Sequence, residues 1–575
     1  MVLPPDDRCS FAPRHTGPDV FPNFYLFSRF VRLAHRPSLQ AIDDVTFGYK
    51  ATYVQFLTDV LYFRNILSRS LDPFIIAKLE RDEEVFINLL GPGGYEFAVA
   101  FFSLMALGAV IVPISPDIPV KEATYFATKC KSVGVITAAI CTELASDLQS
   151  AMKASSSIDF PCIQVTEHLL RPPLRPEQLI ISSDAYLDIN KSGLVIFTSG
   201  TTGPPKGAVK RRGFFYDVAT IFADAYDMRE GDSVLHVLPV HHATGVTLTL
   251  LPFLFAGACI EFRSGGFDPA WTWERIKRAD LTFFSGVPTI YMRLMQTYEN
   301  KIAKLPEVES MLYVEGASRI RAMLCGTSAL PRPLSQKWKR LRGGKEIITR
   351  YGGTEFGNTY TVTPWMEKVP DGSVGQKSAG VDTRLSQSEH DVGAHGPEDD
   401  LQEGEVLVRN TIMFSKYLFD EEATRKALDK DGYFKTGDIA RREGDMYRIL
   451  GRASVDIIKS GGYKISALDI EREILGLDYV SEVMVVGVED EEFGQRVAAA
   501  VVLKEEVPQT LSIEKLRQDL RKCLAGYKMP TILRVVKELQ KNATGKVVKK
   551  VLVKEYFPKG GNGDVQMWTG RKSRL

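Results

Sequence analysis

A loop that holds a polyanion needs many small hydrogen-bond donors, little side chain in the way, and a positive charge. Residues 197–207, FTSGTTGPPKG, supply all three. Thr198, Ser199, Thr201 and Thr202 offer hydroxyls, Gly200 and Gly203 leave backbone N–H groups uncovered, and Lys206 adds the cation. The apolar run GLVIF at 193–197 precedes the loop. A strand that feeds a Gly/Ser/Thr loop presents its N–H groups to phosphate oxygens. A plain glycine-rich turn is the bland alternative. A Walker loop, G-x-x-x-x-G-K-[ST], is excluded: Pro205 precedes Lys206 and Gly207 follows it, so the metal-binding hydroxyl is missing.

Six further segments carry reactive or binding residues. LPVHHATG (238–245) holds the adjacent His241 and His242, and CGTSALP (325–331) holds Gly326 and Thr327. RYGGTEFG (350–357) contributes Tyr351, Gly353, Thr354 and Glu355, and GYFKTGDIA (432–440) contributes Asp438. RILGRASVDIIKSGGYKIS (448–466) includes Arg452, Ser454, Gly461, Gly462 and Lys464. NATGKVVKK (542–550) sets Lys546 on a glycine turn. Singly, each has a structural explanation: a core histidine, a turn with a chance glutamate, or a solvated basic patch made by Lys541, Lys549 and Lys550.

Taken in order, the segments resemble the signatures of the adenylate-forming superfamily, which includes acyl-CoA synthetases, luciferases and peptide-synthetase adenylation domains. The resemblance spans nearly the whole chain and implies ATP, Mg2+ and CoA as the small molecules used. It implies that the loop from Thr198 to Lys206 cradles the triphosphate and that Gly326 and Thr327 run along adenine. Tyr351 would stack on the base, Thr354 would meet the α-phosphate, Glu355 would coordinate Mg2+, and Asp438 would accept the ribose hydroxyls. An aromatic face suits a base and a carboxylate suits a hard cation. Arg452 is the implied nucleotide contact, His242 the residue against the acyl carboxylate, and Lys546 the catalytic lysine. Ser454 stands at the hinge position, often Asp or Lys in the family. The turn with Gly461, Gly462 and Lys464 would approach CoA.

GVPTIYMRL (286–294) and SVDIIKSGGYKISALDIE (454–471) are similar to the malonyl-CoA synthetase branch. There an arginine at the place of Arg293 pairs with the distal carboxylate of the substrate, a geometry that suits a guanidinium. A surface helix charge is the equal alternative. Two positions depart from the branch: Thr244 replaces a second His, and Gly353 replaces a Met. Smaller residues there would admit a longer acid.

These residues need a scaffold. Apolar runs at 85–91, 109–114, 133–139, 193–200, 233–240, 258–262 and 281–288 alternate with helix-like segments. That alternation predicts an α/β fold with helix-covered parallel sheets. FAVAFFSLMALGAVIV (97–112) reads as a buried helix that breaks at Gly108 and continues as a buried strand, being too short for a membrane span. Asp268 and Pro269 mark a helix start, and Ser512 caps another. The polar, acidic stretch from 385 to 406 reads as an inserted loop or hairpin before EVLVRN. We expect an N-terminal ATP and acyl domain at 1–451, a small mobile α+β domain at 452–557, and a flexible tail at 558–575.

The bulk properties fit. A chain of 575 residues calls for more than one core, and 44% apolar with 25% charged residues is ordinary for a globular protein. With 72 basic and 71 acidic residues, a net charge of +1 gives no pull toward nucleic acid or anionic membrane. Seven widely spaced cysteines, without C-x-x-C, suit a reducing compartment rather than a disulfide or zinc framework. The N-terminus has no secretory pattern, and no transmembrane segment is expected. The ending Ser573-Arg574-Leu575 resembles the peroxisomal address S-K-L, which implies a peroxisomal import receptor as partner; otherwise the location is cytoplasmic.

The expected reaction has two half-steps: formation of an acyl-adenylate with loss of pyrophosphate, then transfer of the acyl group to CoA. Malonate, a fatty acid or the acid of a secondary metabolite such as a fungal toxin all remain open as substrates. A luciferase-like oxidation or carrier-protein loading is the alternative use of the same adenylate. Replacing Lys546→Ala is expected to abolish ATP–pyrophosphate exchange while sparing thioester formation from supplied acyl-adenylate. Equal loss in both assays would remove Lys546 from the first half-reaction.

Overall fold

The computed structural model describes residues 16–17, 19–155, 159–198, 204–386, 402–541, 547–558 and 564–568. Its first sheet assembles from short Val/Ile/Leu-rich strands. Phe86–Leu90 lies between Val110–Ile114 and Val135–Thr137, and Cys162–Gln164 forms the edge; all run parallel. Helices Tyr95–Leu107, Val120–Cys130 and Thr142–Ser155 make the crossovers. Tyr95–Leu107 is buried along almost its whole length, which is why it carries no polar face. Gly108 ends it at φ +82°, a left-handed turn that glycine adopts without a Cβ penalty, and the chain passes directly into Val110–Ile114.

Ser192–Thr198 joins this sheet parallel to Val110–Ile114. The chain then returns antiparallel as Lys206–Arg211, with Thr198 opposite Lys206. Thr198 and Lys206, the two ends of the glycine-rich segment, are therefore pinned by a ladder. The Phe197 ring stacks on Phe126 at 3.9 Å, and the Tyr125 hydroxyl donates to the Pro205 carbonyl at 3.0 Å.

A second, nine-stranded sheet carries four of the sequence segments, 238–245, 286–294, 325–331 and 350–357. Ile347–Gly353, Ala322–Cys325, Phe283–Gly286, Ser233–His236, Cys259–Phe262 and Gln40–Asp44 are successive parallel neighbours. Asp268 caps the helix Pro269–Lys277 through the N–H groups of Ala270 (2.9 Å) and Trp271 (3.1 Å). Trp273 of that helix stacks on Trp338 of Arg332–Leu341 with centroids 5.7 Å apart, closing the core on one face.

An antiparallel sheet of Asp382–Ser386, Glu403–Arg409, Phe434–Glu443 and Met446–Arg452 follows. The chain then builds a smaller sheet around Val480–Asp490 and Gly494–Leu503, flanked by Ala467–Ile474, Ile513–Leu520 and Lys549–Tyr556. Ser512 caps Ile513–Leu520 by accepting from the Lys515 N–H at 3.2 Å. Ile458, Ile470, Val485, Ala499, Leu516 and Leu533 form a core drawn only from residues beyond Arg452. Asp371 faces this unit and ion-pairs with both Arg332 and Arg472. Among the described residues no helix is long and apolar enough to cross a membrane.

Candidate active site

Ligand sites in parallel α/β sheets form beyond the carboxyl ends of the strands. Here Ser233–His236 leads into His241 and His242, Phe283–Gly286 into the Arg293 helix, and Ala322–Cys325 into Gly326 and Thr327. Gly286 lies opposite Cys325, and Cys325 opposite Thr349, so Tyr351 continues past the same edge. One edge of one sheet thus gathers four of the sequence signatures.

The hairpin of Lys206 reaches the same place from the first sheet. Lys416–Tyr417 pairs with it, Tyr417 opposite Ala208. Lys206 Nζ stands 5.2 Å from the Tyr417 ring, and the Tyr417 hydroxyl donates to Glu355 Oε1 at 2.9 Å. One tyrosine therefore links the predicted phosphate cation to the predicted metal ligand. Residues alternate faces along a strand, so Lys206 and Lys210 share a face. Lys206 is exposed; Lys210 is buried, and burial pushes its amine down to about 7.

Asp438 is buried, opposite Arg452 in the Phe434–Glu443 and Met446–Arg452 hairpin. Its Oδ2 accepts the Tyr351 hydroxyl at 2.7 Å and its Oδ1 accepts Arg452 Nε at 3.1 Å. Burial raises the carboxyl pKa, against the pull of Arg452 and Tyr351. Gly326 is packed so that a Cβ would lie 3.2 Å from Arg350 Cγ. Thr327 holds φ +72°, a left-handed conformation costing a β-branched residue about 1–3 kcal/mol. Such strain concentrates at ligand-binding loops.

After Ser233–His236, the His241 and His242 rings lie 4.4 Å apart, and burial beside His242 pushes His241 down to about 3. His242 leads into Ala243–Gly245 and then a π-helical turn, Val246–Leu250, a feature frequent at functional sites. Gly245 fits because a Cβ there would sit 2.1 Å from the Pro239 carbonyl oxygen. His236 Nε2 bonds the Gly245 carbonyl at 3.1 Å and pins the turn from beneath. The space left by Gly353 is filled by Phe356: a Cβ would lie 2.4 Å from its ring, so the small residue makes room for an aromatic side chain. Arg293 is exposed on Pro288–Asn300, its guanidinium 5.4 Å over the Phe267 ring.

In the C-terminal unit, Ser454 is exposed in a short connection where the Asp456 N–H returns to the Arg452 carbonyl at 2.8 Å. Gly461 (φ +55°) and Gly462 (φ +83°) form the exposed turn before Tyr463 and Lys464, and the Tyr463 ring stacks on Tyr527 at 4.3 Å. Ser199, Gly200, Thr201, Thr202, Gly203 and Lys546 lie outside the described residues, as does the Ser573-Arg574-Leu575 ending.

Four side chains that contact the candidate site residues or their neighbours escape the sequence reading. Lys210 and Tyr417 are two of them; the period-two spacing from Lys206 is the one signal for the first. Asp456 and Lys549 are the others. The Lys549 side chain is largely covered, with Nζ 2.6 Å from Asp456 and 2.7 Å from Glu471. Burial works against its charge, but the two carboxylates outweigh it and raise its pKa. Asp456 Oδ2 also accepts the Arg452 N–H at 3.1 Å. A chain of contacts thus runs from Asp438 through Arg452 and Asp456 to Lys549. Among the described residues no group of three or more His, Cys, Asp or Glu forms a metal nest. One or two carboxylates together with the phosphates of a bound nucleotide are the donor set that Mg2+ uses, and Glu355 could supply such a carboxylate.

These contacts link a large set of helix-covered sheets to a smaller sheet that begins after Arg452. The chain belongs to the AMP-binding enzyme family, which matches residues 31–418, with the AMP-binding enzyme C-terminal domain matching residues 469–546. It is 34% identical over 518 residues to a mitochondrial malonate–CoA ligase of Bos taurus, covering 87% of this chain and 86% of that protein. It is 32% identical over 520 residues to a CoA ligase of Gibberella moniliformis, covering 82% and 85%. Its fold matches ATP-bound MatB from Rhodopseudomonas palustris at a TM-score of 0.76 and 24% identity, covering 92% of this chain and 98% of that one.

Two predictions follow from these contacts. Lys549→Met leaves two largely covered carboxylates without their cation and should destabilise the C-terminal unit by about 2–4 kcal/mol, toward the lower end of the buried-pair range, read by chemical denaturation. His236 is buried neutral, its pKa pushed down to about 4 by burial from an ordinary 6.5. The unfolded chain takes up that proton first, so stability is intact above pH 6.5 and falls as pH drops toward 4. His236→Gln should flatten that slope by up to about 1.4 kcal/mol per pH unit.

Proposed function

We propose that this AMP-forming acid–thiol ligase activates a short dicarboxylic acid of the malonate type and passes it to CoA. A carboxylate oxygen of the acid bonds the α-phosphorus of ATP while the bond to the bridging oxygen breaks and pyrophosphate leaves. The CoA sulfur then bonds the acyl carbon, AMP departs with the electron pair of the broken C–O bond, and the thiol proton passes to solvent. The observation that carries the reading is the junction of Lys206, Tyr417 and Glu355 beside the Tyr351–Asp438–Arg452 contacts: triphosphate chemistry at one end, nucleoside recognition at the other.

Within that reading, Lys206 binds the triphosphate and Thr354 donates to the α-phosphate. Asp438 orients the ribose and Tyr351 walls the base. Mg2+ held with the triphosphate on Glu355 supplies charge neutralisation as two anions approach. His242 lies against the acyl carboxylate, and Lys546 supplies the cation for the first half-step. We further propose a division at 451/452, with Ser454 as the hinge and the turn of Gly461, Gly462 and Lys464 serving CoA in the second half-step.

Similarity to malonate–CoA ligases and the filling of the Gly353 space by Phe356 support a short acid. The exposure of Arg293 favours a second reading, an apolar or secondary-metabolite acid handled in the peroxisome through Ser573-Arg574-Leu575; similarity to a fungal CoA ligase supports it. CoA-dependent AMP release should be measured with malonate and with medium-chain, long-chain, aromatic and polyketide-like acids. Malonate is expected to give the highest kcat/KM, and Arg293→Met to lower it about tenfold or more through loss of a charge-assisted pair. A long-chain or aromatic acid preferred over malonate, with Arg293→Met silent, would establish the second reading.

A further inference from the structure

Lys210 is the buried amine that the reaction just described leaves unused. It lies in Lys206–Arg211, and among the described residues no carboxylate stands within ion-pair distance of it; the Glu355 carboxylate favours its charge from farther away. Its Nζ donates to the Ile412 carbonyl at 2.8 Å and the Glu355 carbonyl at 3.3 Å, and stands 4.7 Å from the Phe214 ring. Burying an amine against two neutral carbonyls is an expensive way to fill a strand position. Its use must lie in what it holds.

What it holds is the turn that carries Glu355. The Glu355 carbonyl also accepts the Phe414 N–H at 2.5 Å, and the Phe356 carbonyl accepts Asn410 Nδ2 at 2.8 Å. Asn410 Oδ1 in turn accepts the Ile412 N–H at 2.9 Å. Gly357, at φ +70°, lies against Ile412 so closely that a Cβ would be 2.8 Å from its side chain. The 354–357 turn and the 410–414 loop are therefore laced together, and Lys210 Nζ ties both to the phosphate-loop strand.

We propose that Lys210 is a positioning residue for adenylation: by clamping the Glu355 and Ile412 carbonyls to the Lys206 strand, it sets the placement of the Glu355 carboxylate relative to the Lys206 cation. This rests on the reading of Glu355 as the Mg2+ carboxylate. The second half-reaction uses neither metal nor triphosphate, so the two half-reactions separate positioning from general damage.

The test uses the full-length enzyme with Lys210→Met, and Lys210→Gln as a variant that keeps an N–H donor. In ATP–pyrophosphate exchange, the half-saturating Mg2+ concentration is expected to rise about tenfold or more in Lys210→Met and less in Lys210→Gln. Mn2+ binding in the presence of ATP, followed by electron paramagnetic resonance, should weaken in parallel. Thioester formation from supplied acyl-adenylate and CoA should stay within about twofold of the wild type. Unchanged Mg2+ dependence, or an equal fall in both half-reactions for both variants, would overturn the proposal. Absence of Mg2+-dependent exchange in the wild type would instead overturn the assignment of Glu355.

Discussion

Asp438 is the carboxylate on which the site's geometry converges. It is buried, and its two oxygens are divided between Tyr351 from the nine-stranded sheet and Arg452 from the last strand before the C-terminal unit. A buried carboxylate tolerates removal from water only when its lone pairs are met by donors. That requirement fixes the hydroxyl of Tyr351 and holds Arg452 against the large domain. Asp456 then accepts the Arg452 N–H and the Lys549 ammonium, so the satisfaction of one acid passes to the next. Removing any donor in this series leaves a buried charge behind, which is why the series is more than a sum of separate pairs.

Much of the scaffold was legible because local physics decides it. Gly108 marks where an apolar helix stops, and Asp268 and Ser512 mark where two others begin; each acts on neighbours within four residues. Fully buried strands such as Phe86–Leu90 announce themselves as continuous apolar runs. The segments of His242, Gly326 and Tyr351 come together because strand ends in a parallel sheet share an edge, whereas Asp438 and Arg452 arrive from a separate antiparallel hairpin.

What stayed hidden is long-range. Lys549 looks like part of a solvated basic patch until Asp456, 93 positions earlier, is brought beside it. Lys210 finds the Ile412 carbonyl 202 positions away. Neither partner leaves a mark in the neighbouring sequence. Gly353 makes the converse point: a missing side chain suggests space, and only packing shows that Phe356 occupies it.

The contact of Asp371 with Arg332 and Arg472 joins the two parts of the chain. Asp371 is half exposed while Arg472 is largely buried, so water reaches their bridge from one side only. Dissolved ions screen the attraction from that open side, and the hold between the two parts weakens as salt rises. Ionic strength therefore acts on the seam between them.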